Sequence, residues 1–577
     1  MVFSLSTFRR PLAAFSLTFL AAGAAAAQTP EEPPLPSFGD RVEVSVVNLE
    51  VFVTDKDGRP IRGLKQEDFE LFEGGRPVEV SNFSAFEGGS AVEYLSGEAG
   101  IEAPAPPPAP PRLSVILYVD NLHLQPATRK RAFGQVREFL AKEIPRGARV
   151  MVVSYERRPR VALGFTEDLA AVTAVLDELA KKNPIGIEGR AARHNTLSQI
   201  RSIYDSEGCS EQGIEMMKAL ATSYASPLAH DDEQSFGALA GVVSTLAGIE
   251  GRKALLHLSD GVPLVSGEEV LTLVNTLCEG TFDTFASSHL AHHRSLRAVT
   301  SQANAGGVTF YTLEAVGLRA PLASAADQAR PTLSAAQDLD SIANQQDTLF
   351  NLADSTGGRA LLNTNQLAEA LVGVGDDLEN YYWLGFVTER AADGRARKLE
   401  IRVKRDGARL RYRQTFREKS PAEKREERVL GALLLDTEDN PLAVALEVGQ
   451  AVPAASAENK GQAKAKKGTM LMPVRLRLPL EKLTLLPREG GSTGDLAGRL
   501  RIAMVARDAD GATAPMRTVE VPIEMTAEKA TTTPGKTFVY EIRMTMRPGE
   551  HRLALGIEDV PTGTTSYLAL DFTVPKG

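Results

Sequence analysis

Much of what this 577-residue chain could be is excluded by what it lacks. It has two cysteines, too few for a disulfide scaffold or a zinc ribbon. No block of lysine and arginine interrupts its 65 basic and 74 acidic side chains. Phosphate backbones are bound through clustered positive charge, so nucleic acid is excluded as the main partner. Beyond residue 27 no segment is apolar enough to span a bilayer. No phosphate-binding glycine loop or dinucleotide fingerprint occurs, and no Gly-x-Ser-x-Gly elbow stands between a strand and a helix. His289, His292 and His293 lack a carboxylate at Glu-x-x-His spacing and read as surface histidines at a helix start. Paired carboxylates are common in an acidic chain and single out no acid–base pair. No catalytic residue emerges, and a hydrolase of unfamiliar pattern is the least favoured reading.

What is there begins with an address. Arg9 and Arg10 precede a short apolar run over residues 11–22, and Ala25-Ala26-Ala27 offers small residues before Gln28. That is the layout of a secretory signal, residues 1–27. The run of about a dozen residues falls short of the roughly 20 that cross a bilayer, which disfavours the alternative of an N-terminal anchor. The expectation is an exported protein, periplasmic, surface-held or secreted, with no membrane span after signal cleavage.

A hydrophobic content of 43% and a charged content of 24% exclude a wholly disordered chain. At about 100–200 residues per domain, the length suggests roughly three or four domains. Residues 28–41 are rich in proline and glutamate and are expected to be disordered. Alternating apolar and polar residues over 42–90, with turns at Asp57-Gly58 and Gly74-Gly75, give a first group of strands. Residues 91–111 form a proline-rich linker. Strands and helices then alternate over 112–380, the pattern of an α/β domain. Residues 113–119 (LSVILYV) read as a central strand buried on both faces. Residues 381–417 return to strands. Each flanking group has too few strands to stand alone, so the two are expected to complete one β-sandwich around the inserted α/β unit. The alternative is two separate strand clusters. Residues 418–428 (EKSPAEKREER) read as a charged linker. Strands with turns between them then run through 429–577 and suggest an immunoglobulin-like β-sandwich. Its insertion over 454–468, with Lys460, Lys464, Lys466 and Lys467, reads as a solvated loop.

The α/β segment resembles von Willebrand factor type A domains. The resemblance is carried by the strand ending in Asp120 and by the strand running into Ser259-Asp260-Gly261. With Phe165-Thr166-Glu167-Asp168, Thr356-Gly357-Gly358-Arg359, Val53-Thr54-Asp55-Lys56-Asp57-Gly58, Glu67-Asp68-Phe69 and Tyr381-Tyr382-Trp383-Leu384-Gly385, it is similar to bacterial secreted proteins with that domain. The resemblance covers residues 42–416 and implies a Rossmann-like α/β fold. It also implies a metal-ion-dependent adhesion site, in which Asp-x-Ser-x-Ser, a threonine and a second aspartate hold Mg²⁺. Here the first loop reads Asp120-Asn121-Leu122-His123-Leu124, with leucine at both serine positions, so the site is degenerate. A divalent cation, Mg²⁺ or Ca²⁺, held by Asp120 and Asp260 is the weaker reading. The stronger is no cofactor, with both aspartates capping helices or tying loops.

Three segments look expanded relative to the resemblance: 182–233, 262–292 and 314–338. All three should leave the edge that carries Asp120 and Asp260, where open α/β sheets bind ligands. The candidate binding face is Asp120, Asn121, His123, Asp231, Asp232, Asp260 and Gly261. Cys209 lies in the first expanded segment and Cys278 in the second, and export permits a disulfide between them. The alternative is two unpaired buried thiols. The resulting expectation is a non-enzymatic adhesion-type protein that binds a protein, or secondarily a glycan, through this face. The rival is a structural or assembly factor of the cell envelope acting through its β-sandwiches.

Overall fold

A computed structural model describes residues 46–92, 111–182, 187–282, 288–319, 335–388, 394–435, 439–454, 468–488, 495–526 and 535–576. The signal, the 28–41 segment, nearly all of the proline-rich linker and the lysine-bearing insertion lie outside the described residues.

The first strands are β1 (Val46–Thr54), β2 (Phe69–Glu73), β3 (Arg76–Val78), β4 (Val80–Glu87) and β5 (Ser90–Val92). Gly74 and Gly75 join β2 to β3 with φ of 56° and 80°. A two-residue turn with both φ positive matches the twist of a hairpin and is open mainly to glycine and asparagine.

The α/β unit follows as β6 (Leu113–Asp120), α1 (Pro126–Lys142), β7 (Arg149–Tyr155), β8 (Pro159–Thr166), α2 (Leu169–Lys181), α3 (Ile187–Glu207) and α4 (Glu211–Leu246). It continues with β9 (Arg252–Ser259), α5 (Glu268–Leu277), α6 (His293–Gly306), β10 (Val308–Glu314), α7 (Ala335–Thr356), β11 (Arg359–Leu361) and α8 (Leu367–Glu379). The sheet order is β11-β10-β9-β6-β7-β8, parallel throughout except for β8, which runs against β7. Counted within the unit this is 3-2-1-4-5-6, the doubly wound order. All eight residues of β6 are buried. Val115, Leu117 and Val119 face a core shared with α1, α2 and α8, while Ile116 and Tyr118 face one shared with α4 and α6.

The expanded segment 182–233 is not a loop, as the sequence had suggested, but holds α3 and the first part of α4; 262–292 carries α5, and most of 314–338 lies outside the described residues. The N-terminal half of α4 packs with α3 and α5 around Leu197, Ile200, Met217, Ala221, Val270 and Val274. The C-terminal half of the same 36-residue helix lays Phe236, Leu239, Val243 and Leu246 on the sheet. One helix thus belongs to two cores, and a helical cap rises from the sheet.

After the α/β unit come β12 (Tyr381–Val387), β13 (Ala396–Val403), β14 (Arg409–Tyr412) and β15 (Thr415–Arg417). β12 lies between β1 and β4, with Leu49 opposite Leu384 and Leu384 opposite Phe83. β13 pairs with β2. Two sheets result, β14-β1-β12-β4-β5 and β15-β13-β2-β3, sharing a core of Leu49, Val51, Leu71, Leu384, Phe386 and Ile401.

The expected charged linker is also corrected. Ser420 opens α9 (Pro421–Leu435): its Oγ accepts from Glu423 N at 3.2 Å, while Glu423 Oε2 accepts from Ser420 N at 2.9 Å. This reciprocal cap satisfies two donors at the helix start. Val429, Ala432 and Leu433 bury against Ala503, Val505, Ala554 and Tyr567, so the stretch expected to begin a strand at residue 429 is helical instead. A Cβ on Gly248 would stand 2.4 Å from Glu427 O, which shows how closely α9 also approaches the α/β unit.

The last region holds β16 (Ala445–Val448), β17 (Val452–Pro453), β18 (Met470–Pro479), β19 (Leu486–Pro487), β20 (Leu496–Asp508), β21 (Arg517–Met525), β22 (Thr537–Met546), β23 (Gly549–Asp559) and β24 (Thr564–Val574). They form two antiparallel sheets, one centred on β18 and one on β20 and β23. Alternate residues Met472, Val474, Leu476, Leu500, Ile502 and Leu555 fill the space between.

Candidate functional site

Strand order reverses between β6 and β9, and ligands of open α/β sheets lie outside the carboxyl ends of such a pair. Asp120 ends β6 and Asp260 follows β9. Asp120 is completely buried. Its Oδ2 lies 2.7 Å from His123 Nδ1 and accepts from Ser259 Oγ at 3.1 Å, and its Oδ1 accepts from His123 N at 3.3 Å. Burial works to raise its pKa, but the His123 charge and these hydrogen bonds outweigh it and hold the carboxyl below its usual range.

His123 reaches the other way to α4, where its Nε2 lies 2.9 Å from Asp232 Oδ1. Burial works against its charge, yet the Asp120 and Asp232 carboxylates prevail and raise its pKa to about 10. His257, on β9 and 4.0 Å from Asp120, goes the opposite way: burial lowers its pKa to about 4 and keeps it neutral. Asp232 Oδ2 accepts from Ser266 Oγ at 2.5 Å. Ser266 Oγ lies 2.8 Å from His292 Nε2, and His292 Nδ1 lies 3.2 Å from Glu233 Oε2. A continuous polar chain therefore runs from Ser259 through Asp120, His123, Asp232, Ser266 and His292 to Glu233, tying the sheet to α4 and to the segments that open α5 and α6.

Asp260 serves the start of α1. Its Oδ2 accepts from Gln125 N at 3.1 Å and from Thr128 Oγ1 at 3.0 Å, and burial raises its pKa to about 6. Asn121 receives Arg129 Nη1 at 3.1 Å and donates to Ser154 Oγ at 2.8 Å. Asp231 pairs with Arg157 at 2.9 Å near the surface.

The candidate binding face is thus brought together but mostly roofed over. Asp120, Asn121, Asp232, Asp260 and Gly261 are buried, and the His123 side chain is 13% exposed. The reason is the cap, which closes over the strand ends. Buried in this way, these residues offer little surface for direct contact. His292, read from sequence as a surface residue, is buried, while His289 and His293 are exposed. Ser266 was not singled out from sequence, and Ser259, Glu233 and His292 were not given this role; each is an ordinary polar residue whose partner lies far away in the chain.

Ser266, His292 and Glu233 have the spacing of a nucleophile, a base and its orienting acid. The chemistry does not follow. Ser266 has one proton and donates it to Asp232, so its Oγ can only accept from His292 Nε2. Ser266 is also fully buried, out of reach of a substrate.

A divalent ion does not fit these residues either. A hard cation asks for oxygen ligands with a free lone pair in a near-octahedral shell. Leu122 and Leu124 supply none; Asp120 is taken up by His123 and Ser259 and Asp232 by His123 and Ser266, and of the three aspartates Asp260 alone leaves an oxygen, Oδ1, without a hydrogen-bond partner. Among the described residues no group of three or more acidic, histidine or cysteine side chains is arranged to hold a metal.

Cys209, after α3, and Cys278, after α5, are joined by a disulfide that clips the cap across a separation of 69 residues. At the opposite end of the sheet a cleft of about 840 Å³ is lined by Arg112, Arg149, Arg428, Glu250, Asp439 and Tyr567. Its charges are largely answered: Arg428 by Glu250 at 2.8 Å and Asp439 at 3.3 Å, and Arg112 by Glu167 at 3.4 Å. Arg149 lies over the Phe165 ring and donates to Ser114.

No protein-family model and no curated protein matches the chain. Solved structures do. An aerotolerance-related membrane protein from Bacteroides fragilis is 13% identical, covering 46% of this chain and 98% of its own, with a TM-score of 0.21. The von Willebrand factor domain of a type V pilus tip protein from Porphyromonas gingivalis is 13% identical over 46% and 94%, with a TM-score of 0.21. A von Willebrand factor type A protein from Catenulispora acidiphila is 11% identical over 87% and 75%, with a TM-score of 0.20. The fold assignment rests on the strand order and not on these likenesses.

Proposed function

We propose that this chain is an exported, non-enzymatic interaction protein whose von Willebrand factor A-like unit presents its helical cap to a protein partner. The observation that carries the reading is the cap itself. Its helices have their own apolar core and a disulfide clip, and they stand on the edge of the sheet where such folds recognise ligands. The crevice beneath is filled by the chain's own side chains, so contact falls to the outer surface. There α4 presents a shallow trough of Ala219, Thr222, Ser223, Ser226 and Pro227 beside Glu215 and Lys218, broad and weakly charged. Export rests on the signal-like residues 1–27, and no helix among the described residues is long and apolar enough to cross a membrane.

The second reading, an envelope assembly factor acting through the last sandwich, is favoured by the exposed Val519 on β21 and Val539 on β22. Each of these strands pairs on one side only among the described residues, and open strand edges invite pairing. The test is capture of a partner from envelope extract by the immobilised chain. Met216→Glu with Thr222→Arg, both on the exposed face of α4, is expected to abolish capture while Val539→Glu leaves it intact. The reverse result selects the second reading. Turnover of ester or peptide substrates by the purified chain would overturn both.

A further inference from the structure

We infer that His123 is a resident cation: its imidazolium sits between the Asp120 and Asp232 carboxylates and makes the junction of sheet and cap independent of metal ions. The inference deepens the reading of the carboxyl edge as the support of a binding face, and it concerns how that support is regulated.

The geometry matches a doubly protonated ring held between two ionised carboxylates. Nδ1 lies 2.7 Å from an oxygen of Asp120 and Nε2 lies 2.9 Å from an oxygen of Asp232. Ionised carboxylates only accept hydrogen bonds, so both ring nitrogens must carry protons. The three groups come from two layers, Asp120 and His123 from the end of β6 and the turn after it, Asp232 from α4. Without a positive charge between them, two buried carboxylates would face each other and push the cap off the sheet, because like charges in a poorly solvated site repel strongly. A divalent ion could supply that charge only by evicting the ring. A bound metal would tie the cap to the ion supply outside the cell, whereas a side chain cannot be chelated away. Ser259 on Asp120 and Ser266 on Asp232 complete the shell and orient both carboxylates toward the ring.

Three measurements on the full chain decide it. Calorimetric titration of wild type with Mg²⁺, Ca²⁺ and Mn²⁺ is expected to show no saturable binding, and the thermal midpoint is expected to be the same in chelator and in excess Mg²⁺. A saturable site lost in Asp120→Asn, or a midpoint that drops on chelation, overturns the inference. Nitrogen-15 histidine spectra of wild type at mildly alkaline pH should show a ring with both nitrogens protonated. Absence of that signal overturns it without any variant. His123→Asn, which keeps a donor but loses the charge, should erase the signal. It should also speed amide exchange around Asp232 by roughly tenfold or more, leaving the last sandwich unchanged. Unchanged exchange overturns the clamp. Failure of partner capture leaves all three readouts untouched, and metal binding here would leave capture untouched, so the two ideas fail separately.

Discussion

The two ends of the parallel sheet hold their buried charges in opposite ways. At the carboxyl edge the buried groups are mostly acids, Asp120, Asp232 and Asp260, which take up backbone donors and one imidazolium. At the amino edge they are mostly bases. Arg252 donates to Leu378 O at 2.7 Å, lies 3.6 Å over the Tyr381 ring and pairs with Glu50 at 3.3 Å. Lys253 donates to Ile249 O, Arg411 to Gly357 O and Gly358 O, and Arg413 to Asn304 O. In a doubly wound sheet helices begin at the carboxyl edge and end at the amino edge. Helix starts offer unpaired N–H groups and favour anions, and helix ends offer carbonyls and favour cations. The direction of the chain has sorted the charges. The amino edge is then sealed by the first sandwich, which brings Glu50, Arg411 and Arg413 to it, and the carboxyl edge is covered by the cap.

The largest effect is expected at the amino edge. Asp377→Ala leaves Arg359 and Arg411 without the carboxylate that both hold, at 2.8 and 2.6 Å, and should cost about 3–5 kcal/mol in denaturant unfolding. A loss under about 1 kcal/mol would show that the sandwich is not sealed there by charge. Next comes the clip of the cap. Replacing Cys209 and Cys278 by serine should cost about 2–4 kcal/mol, with new proteolytic cuts confined to residues 187–282. At the carboxyl edge Asp232→Asn removes one of the imidazolium's two carboxylates and should cost about 2 kcal/mol, with faster amide exchange in α4 and not in β9. The helix between units is worth less: Ser420→Ala should lose about 1 kcal/mol by equilibrium unfolding, the usual cost of an N-cap.

The smallest net change is expected from pH, because the edges oppose each other. His123 is raised from 6.5 to about 10 in the folded chain, so its contribution is complete below about 6.5 and is lost as pH rises through about 10. Lys253 is lowered by burial from 10.5 to about 8, so the cost of burying its charge is relieved as pH rises from about 8 to 10.5. Amide exchange resolved by residue should show the cap loosening over the range in which the start of β9 tightens. Parallel drift of both would break the comparison.

Much of this architecture was legible in local pattern. The unbroken apolar run of β6, the stripe of α2 and the Gly74-Gly75 turn depend on neighbours within a few residues. The carboxyl-edge candidates Asp120, His123, Asp232 and Asp260 were picked out through the resemblance to von Willebrand factor type A adhesion-site loops, not from local pattern. What failed was their exposure, since the cap that buries them forms from residues 187–282 folding back over the edge. The α9 error was avoidable. Ser420-Pro421-Ala422-Glu423 is a helix-start signature with proline at the first position, and the charges that follow hid the stripe of Val429, Ala432 and Leu433.

By itself the sequence determined the alternation of strands and helices in the α/β unit, the polarity of its central strands and the presence of a lone pair of cysteines, because these follow from side-chain periodicity and from backbone preferences at single positions. Only the tertiary structure decided that β12 lies between β1 and β4, and that α4 spans two cores. It alone set His123 between carboxylates that stand 3 and 109 residues away along the chain. Those are matters of distance between remote segments, and the protonation of a buried ring follows from what is placed around it.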